Sequence, residues 1–342
     1  MIPPPLRPGD TVIVLAPASA PRDADRYARG LDVLQQMYDV RVRYRPTEVS
    51  SPHGYLSAPD KRRLDDLRYA LADPDARAVI AARGGYGCMR LLNDLHVIAE
   101  SASPKWVVGY SDVTALQLAL YRHLGWCSLS APVVTEWATL SPAAPPADGW
   151  GADAVQDGPA GTRDLDAAAC FQRVATYDEA SKLPLAENLP VLKDGSNGRG
   201  PLLGGNLSVL TRLIGTPFLP DLTGAVLILE DVGEAPYRID RMLTHLDLAG
   251  HLDRLAGVVL GSFQPGDIPE PSLSIHEVFA AHFSGRSYPV ATGLAYGHLL
   301  PRLTLPLGAS AELTVEDDTA NLRVELHRAG KADKEPVAKP TA

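Results

Sequence analysis

Ser111 stands where a chain can make a hydroxyl nucleophilic. The apolar β-type run Trp106-Val107-Val108 stops at Gly109, Ser111 follows two residues later, and helical spacing begins at once with Val113, Leu116, Ala119 and Leu120. A strand that breaks at a glycine and turns straight into a helix lifts one side chain onto a sharp turn beside fresh backbone N–H groups. Acyl-transfer enzymes hold a nucleophilic serine this way. The dipole of the helix favours an oxyanion at that point, and the N–H of Asp112, directly after the serine, is the natural first donor. A serine before a helix also serves simply as its N-cap.

A second donor is available from Arg83-Gly84-Gly85-Tyr86-Gly87, which follows the apolar run 78–82. Glycines there let another molecule approach the backbone, and the N–H of Gly84 or Gly85 could join that of Asp112. The same residues would also make a plain turn. As a dinucleotide fingerprint they fail, because Gly85-Tyr86-Gly87-Cys88-Met89-Arg90 lacks the third glycine and opens a late βα unit rather than the first. No G-x-x-x-x-G-K-[S/T] phosphate loop occurs.

A serine needs a base and an orienting acid. Glu230 ends the apolar strand Val226-Leu227-Ile228-Leu229, the position at which α/β proteins present site carboxylates. Asp231 and Glu234 are its acidic neighbours. Among nine histidines, His298 is the one held at a strand exit by a glycine, Gly297, whereas His245, His251, His276 and His282 lie in helical or polar stretches. No H-E-x-x-H or other ligand spacing is present, so neither a metal nor a cofactor is expected.

Composition narrows the classes. The 342 residues favour two domains over one. The net charge is −9 and no Lys/Arg cluster stands out, which argues against nucleic acid and against an anionic membrane surface as partners. Cys88, Cys127 and Cys170 match no metal or redox spacing. The N-terminus lacks the apolar core of a signal peptide, and no apolar run approaches the ~20 residues of a membrane helix, so a cytoplasmic location is expected.

The elements that must position these residues read as repeated βα units. Strands are expected over 11–15, 40–44, 78–82 and 105–109, and helices over 22–36, 60–71, 89–95 and on to about 124. Nearly continuous apolar strands separated by helices imply a parallel sheet covered on both faces. Residues 1–140 are taken as this N-terminal α/β domain and 141–200 as linker and loops, beginning with the proline-rich 141–149. Residues 201–327 are a smaller C-terminal mixed α/β domain with strands at 225–229, 256–260 and 290–293 and a hairpin around Asp317-Asp318. Residues 328–342 are a Lys-, Ala- and Pro-rich disordered tail.

Four ordered motifs across roughly residues 6 to 315 together resemble the LD-carboxypeptidase family of serine peptidases, which includes the microcin C immunity-type hydrolases. They are Leu6-Arg7-Pro8-Gly9-Asp10-Thr11-Val12 leading to Ala16-Pro17-Ala18-Ser19; Arg83-Gly84-Gly85-Tyr86-Gly87; Gly109-Tyr110-Ser111-Asp112-Val113-Thr114; and a dispersed set, Gly204-Gly205-Asn206-Leu207, Leu229-Glu230-Asp231, Tyr237-Arg238-Ile239-Asp240-Arg241 and Gly297-His298. The resemblance implies a flavodoxin-like N-terminal domain and a triad assembled across a cleft, with Ser111 as nucleophile, His298 as base and Glu230 as its orienting acid. It assigns the oxyanion donors to the N–H groups of Asp112 and Gly85, and a homodimer is common in such proteins. Where members often carry His-Gly-Pro, this chain reads Ser130-Ala131-Pro132.

The implied reaction is hydrolysis of the L,D bond to terminal D-alanine in a murein tetrapeptide, during cell-wall recycling. Such an enzyme must hold a free carboxylate, for which Arg83, Arg238 and Arg241 are candidates, with Asn206 a further contact that would also cap its own helix. An immunity-type amidase would instead cut a peptidyl or aminoacyl nucleotide, with Trp137 or Trp150 able to stack on a base. A binding module without turnover is a third reading. An α/β-hydrolase is a fourth, against which Val113 occupies the last glycine position of G-x-S-x-G.

Overall fold

A computed structural model describes residues 1–44, 53–95, 102–140, 167–177 and 181–327. Strand β1 (Thr11–Leu15) is buried along its whole length. Its alternate residues face opposite ways: Val12 and Val14 enter one hydrophobic core, Ile13 and Leu15 the other. The same alternation runs through β3 (Ala76–Ala81) and β4 (Trp106–Gly109), where Ile80 and Val108 face one side and Val79 and Val107 the other. A strand that is apolar on both faces must lie inside a sheet with cover above and below.

That cover comes from α1 (Ala24–Tyr38), α2 (Asp60–Ala72) and α3 (Thr114–Leu124). With β2 (Arg41–Tyr44) and β5 (Ser128–Ser130), the parallel strands take the order β2-β1-β3-β4-β5, the flavodoxin-like winding expected. In this order the winding reverses between β1 and β3, and ligands of such sheets bind beyond the carboxyl ends of the strands at that switch. The loops after β1, β3 and β4 therefore converge where the site is expected. The stretch read as a helix over 89–95 is a 3₁₀ segment, Cys88–Asp94.

The second half is a mixed α/β unit whose sheet closes on itself. Its strands are β6 (Ser181–Lys193), β7 (Gly198–Asn206), β8 (Val226–Val232), β9 (Gly257–Gln264) and β10 (Val290–Ala291), with the hairpin β12 (Ser310–Glu316) and β13 (Thr319–Leu326). They form a barrel in the order β10-β6-β13-β12-β7-β8-β9, closed by parallel pairing of β9 with β10. Strands β7, β8 and β9 are parallel and send their carboxyl ends in one direction.

One strand leaves the barrel. Leu305–Leu307 (β11) crosses back and pairs antiparallel with β5, so it forms the edge of the N-terminal sheet. The hydrophobic interior is likewise shared: Val12 and Val108 belong to the same core as Val226, Leu313 and Val324. Within the segment assigned to linker and loops, the described residues form the short helix Ala167–Ala175 and strand β6, and residues 198–200 begin β7. The proline-rich stretch 141–149, Trp150 and the tail 328–342 lie outside the described residues.

Candidate active site

Strand β4 delivers the serine. After it the chain makes one 3₁₀ turn, Ser111–Val113, before α3 begins. Ser111 takes φ +61°, a left-handed conformation uncommon for a residue with a side chain. That backbone points its Oγ away from the sheet into the space between the two halves. Tyr110, just before it, is extended and nearly buried.

The barrel delivers the partners. His298 Nε2 lies 3.2 Å from Ser111 Oγ, and His298 Nδ1 lies 2.7 Å from Glu230 Oε2. Glu230 is only 1% exposed, yet both of its oxygens are engaged. The parallel register of β7 and β8 sets Asn206 directly beside it, and Asn206 Nδ2 donates to Glu230 Oε1 at 3.1 Å. The result is a continuous line from a buried amide to a half-buried hydroxyl: Asn206, Glu230, His298, Ser111.

A glycine lets that line close. Gly297 has φ +115°, and a Cβ there would sit 2.7 Å from Glu230 Oε2. Only a residue without one can bring the histidine this near the acid. The carbonyl of Gly297 accepts from Arg302 Nη1 at 2.7 Å, and that of His298 from Gln264 Nε2 at 3.0 Å. Arg302 is 1% exposed; it lies 3.6 Å from the centre of the Tyr110 ring and pairs with Glu136. Tyr110 in turn donates its hydroxyl to Glu136 Oε1 at 2.7 Å and sets its ring against the His298 imidazole, centroids 4.9 Å apart. Burial pushes the Tyr110 hydroxyl well above its ordinary range, so it stays protonated as a donor.

Gly85 and Asp112, the two residues whose N–H groups were singled out by sequence, line one cleft together with Ser111. Asp112 is the second residue of the 3₁₀ turn, where a helix leaves its N–H groups without intrahelical acceptors. Its own carboxylate is buried and accepts from the Cys88 N–H at 2.8 Å, which ties this turn to the glycine loop carrying Gly85. Burial raises the Asp112 carboxyl above its ordinary value, opposed by that hydrogen bond. Gly85 has φ +116°, and a Cβ on it would overlap Ser19 Oγ. Ser19 holds the loop by donating to Tyr55 O at 2.6 Å and accepting from Tyr86 N at 3.3 Å.

Clefts open on both sides of Ser111 and His298. One, of about 450 Å³, is lined by Arg22, Arg26, Arg83, Gly85, Tyr110 and Glu136 among others. The other, of about 310 Å³, is lined by Asp112, Asn206, Arg212, Asp231 and Glu234 among others. Of the arginines proposed for substrate, Arg83 is therefore at the site. Arg238 and Arg241 line neither cleft. They lie on the exposed side of the helix Pro236–Leu248 against Tyr237, and Arg238 is 3.4 Å from Glu234. Asn206 lines the second cleft but is engaged: its Oδ1 accepts from Val209 N at 3.1 Å, capping the helix Leu207–Thr211. Trp137 is fully buried and packs on Phe171, centroids 5.1 Å apart, so it cannot stack on a ligand. Ser130, at the head of Ser130-Ala131-Pro132, is buried with its hydroxyl 2.7 Å from that of Tyr296.

Sequence reasoning missed the support of this line. Arg302 and Glu136 carry no motif, and Asn206, expected as a substrate contact or helix cap, is also the partner of Glu230. Among the described residues no group of His, Cys, Asp or Glu is arranged to hold a metal ion, and no helix is long and apolar enough to cross a membrane.

Comparison with known proteins converges on one group. The LD-carboxypeptidase N-terminal domain profile matches residues 12–131, and the C-terminal domain profile matches residues 199–313. A Bacillus subtilis protein named "Probable murein peptide carboxypeptidase" is 33% identical over 319 residues, covering 92% of each chain. The murein tetrapeptide carboxypeptidase of Pseudomonas aeruginosa is 32% identical over 272 residues, 78% of this chain and 81% of that one. The crystal structure of muramoyltetrapeptide carboxypeptidase from Oxalobacter formigenes superposes with a TM-score of 0.73 at 28% identity, covering 93% of this chain and all of that one.

Proposed function

This chain belongs to the LD-carboxypeptidase family, and on that premise we propose that it is a cytoplasmic serine carboxypeptidase that removes the terminal D-alanine from murein tetrapeptides. The observation that carries the proposal is the unbroken line Asn206–Glu230–His298–Ser111 at the mouth of two clefts.

Each residue has a part that its surroundings support. His298 Nε2 takes the Ser111 proton as Oγ attacks the carbonyl carbon next to the D-alanine nitrogen. Glu230, buried beside it, accepts from His298 Nδ1, which fixes the tautomer and stabilises the imidazolium that forms. The N–H groups of Asp112 and Gly85 receive the oxyanion, and because the turns that carry them are tied together they need little reorganisation as charge develops. His298 then gives its proton to the departing amine and the C–N bond breaks. Water, activated by the same imidazole, releases the acyl group from Ser111.

The test is mass spectrometry of a murein tetrapeptide after incubation with the enzyme. Loss of one alanine is expected, together with labelling of Ser111 by a fluorophosphonate. An intact tetrapeptide beside hydrolysis of an aminoacyl-sulfamoyl adenylate would overturn the substrate assignment. No labelling and no turnover of either would overturn the enzyme itself.

A further inference from the structure

Three guanidinium groups line the larger cleft, and none has a counter-ion among the described residues. Arg22, Arg26 and Arg83 share this wall with Ser111 and His298, and among the described residues none of them has a carboxylate within ion-pair distance. Their bonds go to backbone carbonyls: Arg26 Nε donates to Thr135 O at 2.6 Å, and Arg83 Nη1 to Ala20 O at 3.1 Å. The carboxylates of the same wall are committed elsewhere. Asp23 Oδ1 accepts from the Arg26 N–H as the N-cap of α1, and Glu136 pairs with the buried Arg302. Arg83 is half-buried, and burial together with the Arg22 charge beside it holds its guanidinium below its usual range. Like charges gathered in a concave wall without an anion are unfavourable until a ligand supplies one.

The chemistry of the reaction says which anion. On the residue being released, the α-carboxylate is two bonds from the scissile nitrogen, so it must fall beside Ser111. Arg83 is two positions from Gly85 in the loop that faces this turn. The opposite cleft contains Asp231 and Glu234, which would repel that carboxylate. We propose that Arg22, Arg26 and Arg83 form the subsite for the free α-carboxylate of the departing residue, and so make the enzyme an exopeptidase. Arg83 presents a planar fork suited to two-point contact with a carboxylate, while Arg22 and Arg26 supply field and selectivity. The proposal rests on the carboxypeptidase reading above for its orientation of the substrate.

The experiment pairs two substrates with two enzymes. Tetrapeptides ending in D-alanine and in D-alaninamide are turned over by the native protein and by Arg83→Gln. The native enzyme should prefer the free acid by about 10- to 100-fold in kcat/KM, the range of a charge-assisted hydrogen bond. Arg83→Gln should lose most of that preference, because it slows on the acid far more than on the amide. Equal losses on both substrates, or a native enzyme indifferent to amidation, would overturn the subsite.

A second arm needs no turnover. Calorimetry of N-acetyl-D-alanine and N-acetyl-D-alaninamide binding to Ser111→Ala, with and without Arg22→Gln and Arg26→Gln, reads the subsite directly. Tighter binding of the acid, weakened by either change, supports the subsite even if the tetrapeptide is no substrate. Equal binding of the two probes, or no detectable binding of the acid, overturns it.

Discussion

Asn206, the last residue of β7, and Glu230 in β8 are paired in register on neighbouring parallel strands, and the amide of the one donates to the carboxylate oxygen that the histidine leaves free. A buried carboxylate that served only the imidazole would have an oxygen without a donor. Asn206 fills that place and also caps the helix that follows it. Replacing it separates the two roles. Asn206→Ser keeps a capping oxygen but cannot reach Glu230, so kcat/KM should fall about 10- to 100-fold with thermal stability close to native. Asn206→Ala should lose the same activity and a further ~1 kcal/mol of stability. Steady-state kinetics and thermal melts on both variants decide it.

On the proposed mechanism Ser111, His298 and Glu230 act as a unit, so their contributions should not be additive. Ser111→Ala and His298→Ala should each lower kcat by about 10⁴- to 10⁶-fold, and the double variant should be little worse than either. Glu230→Gln should cost less, since the imidazole remains beside Ser111. Near-normal turnover by Ser111→Ala would end the mechanism.

The Arg302–Glu136 pair supports the imidazole through the Gly297 carbonyl and the Tyr110 ring. Removing one partner of a buried pair costs about 3–5 kcal/mol, because the other charge stays without compensation. Glu136→Leu should therefore unfold markedly earlier than native. In Glu136→Leu/Arg302→Met much of that loss should return, whereas kcat should not, because the Gly297 carbonyl has lost its donor. A double variant with native kcat would show the pair to be structural only.

Gly297→Ala tests how closely the histidine must approach the acid. The added Cβ would meet Glu230 Oε2 at 2.7 Å from a backbone at φ +115°. The imidazole must then move, and a displacement of about 1 Å in a catalytic group costs on the order of 10²-fold in rate. A crystal structure of the variant should show His298 withdrawn from Glu230, with the rest of the fold unchanged.

Acid sensitivity should centre on Asp60. The hydrogen bond from Arg90, with that from the buried Arg63, lowers its carboxyl from 3.8 to about 2. Its stabilising contribution is therefore complete above pH 3.8 and lost as the pH falls through 2. Arg63 also donates to the carbonyls of Pro17 and Gly87, so this network braces the loops beside the site. Denaturant midpoints measured from pH 6 to pH 2 should fall more steeply in the native protein than in Asp60→Asn, which should already be less stable at pH 6.

What the sequence made legible is local. Ser111, Gly85 and His298 each sit at a break between periodic runs, where glycine and a change of spacing mark a turn, and Glu230 ends an uninterrupted apolar strand. Each could be found without knowing its partner. Arg302 and Glu136 could not, because neither lies in a pattern and their meaning comes from a contact between chain segments far apart in sequence. Strand β6 was hidden for a different reason. Pro184, Pro190 and the charges of Lys182 and Glu187 interrupt the apolar alternation, yet partners on both sides hold the segment extended. The arginines behaved similarly: Arg238 and Arg241 belong to a recognisable motif but line neither cleft, while Arg22 and Arg26 belong to none and line one.

The return of Leu305–Leu307 to the first sheet has a consequence for synthesis. That sheet acquires its last edge only after all the strands of the barrel but the hairpin β12–β13 have been made, and the imidazole sits on the strap between the barrel and this edge. A growing chain therefore carries Ser111 well before His298 can stand beside it. On the proposed mechanism, a product cut short ahead of His298 would be inert towards the peptides around it.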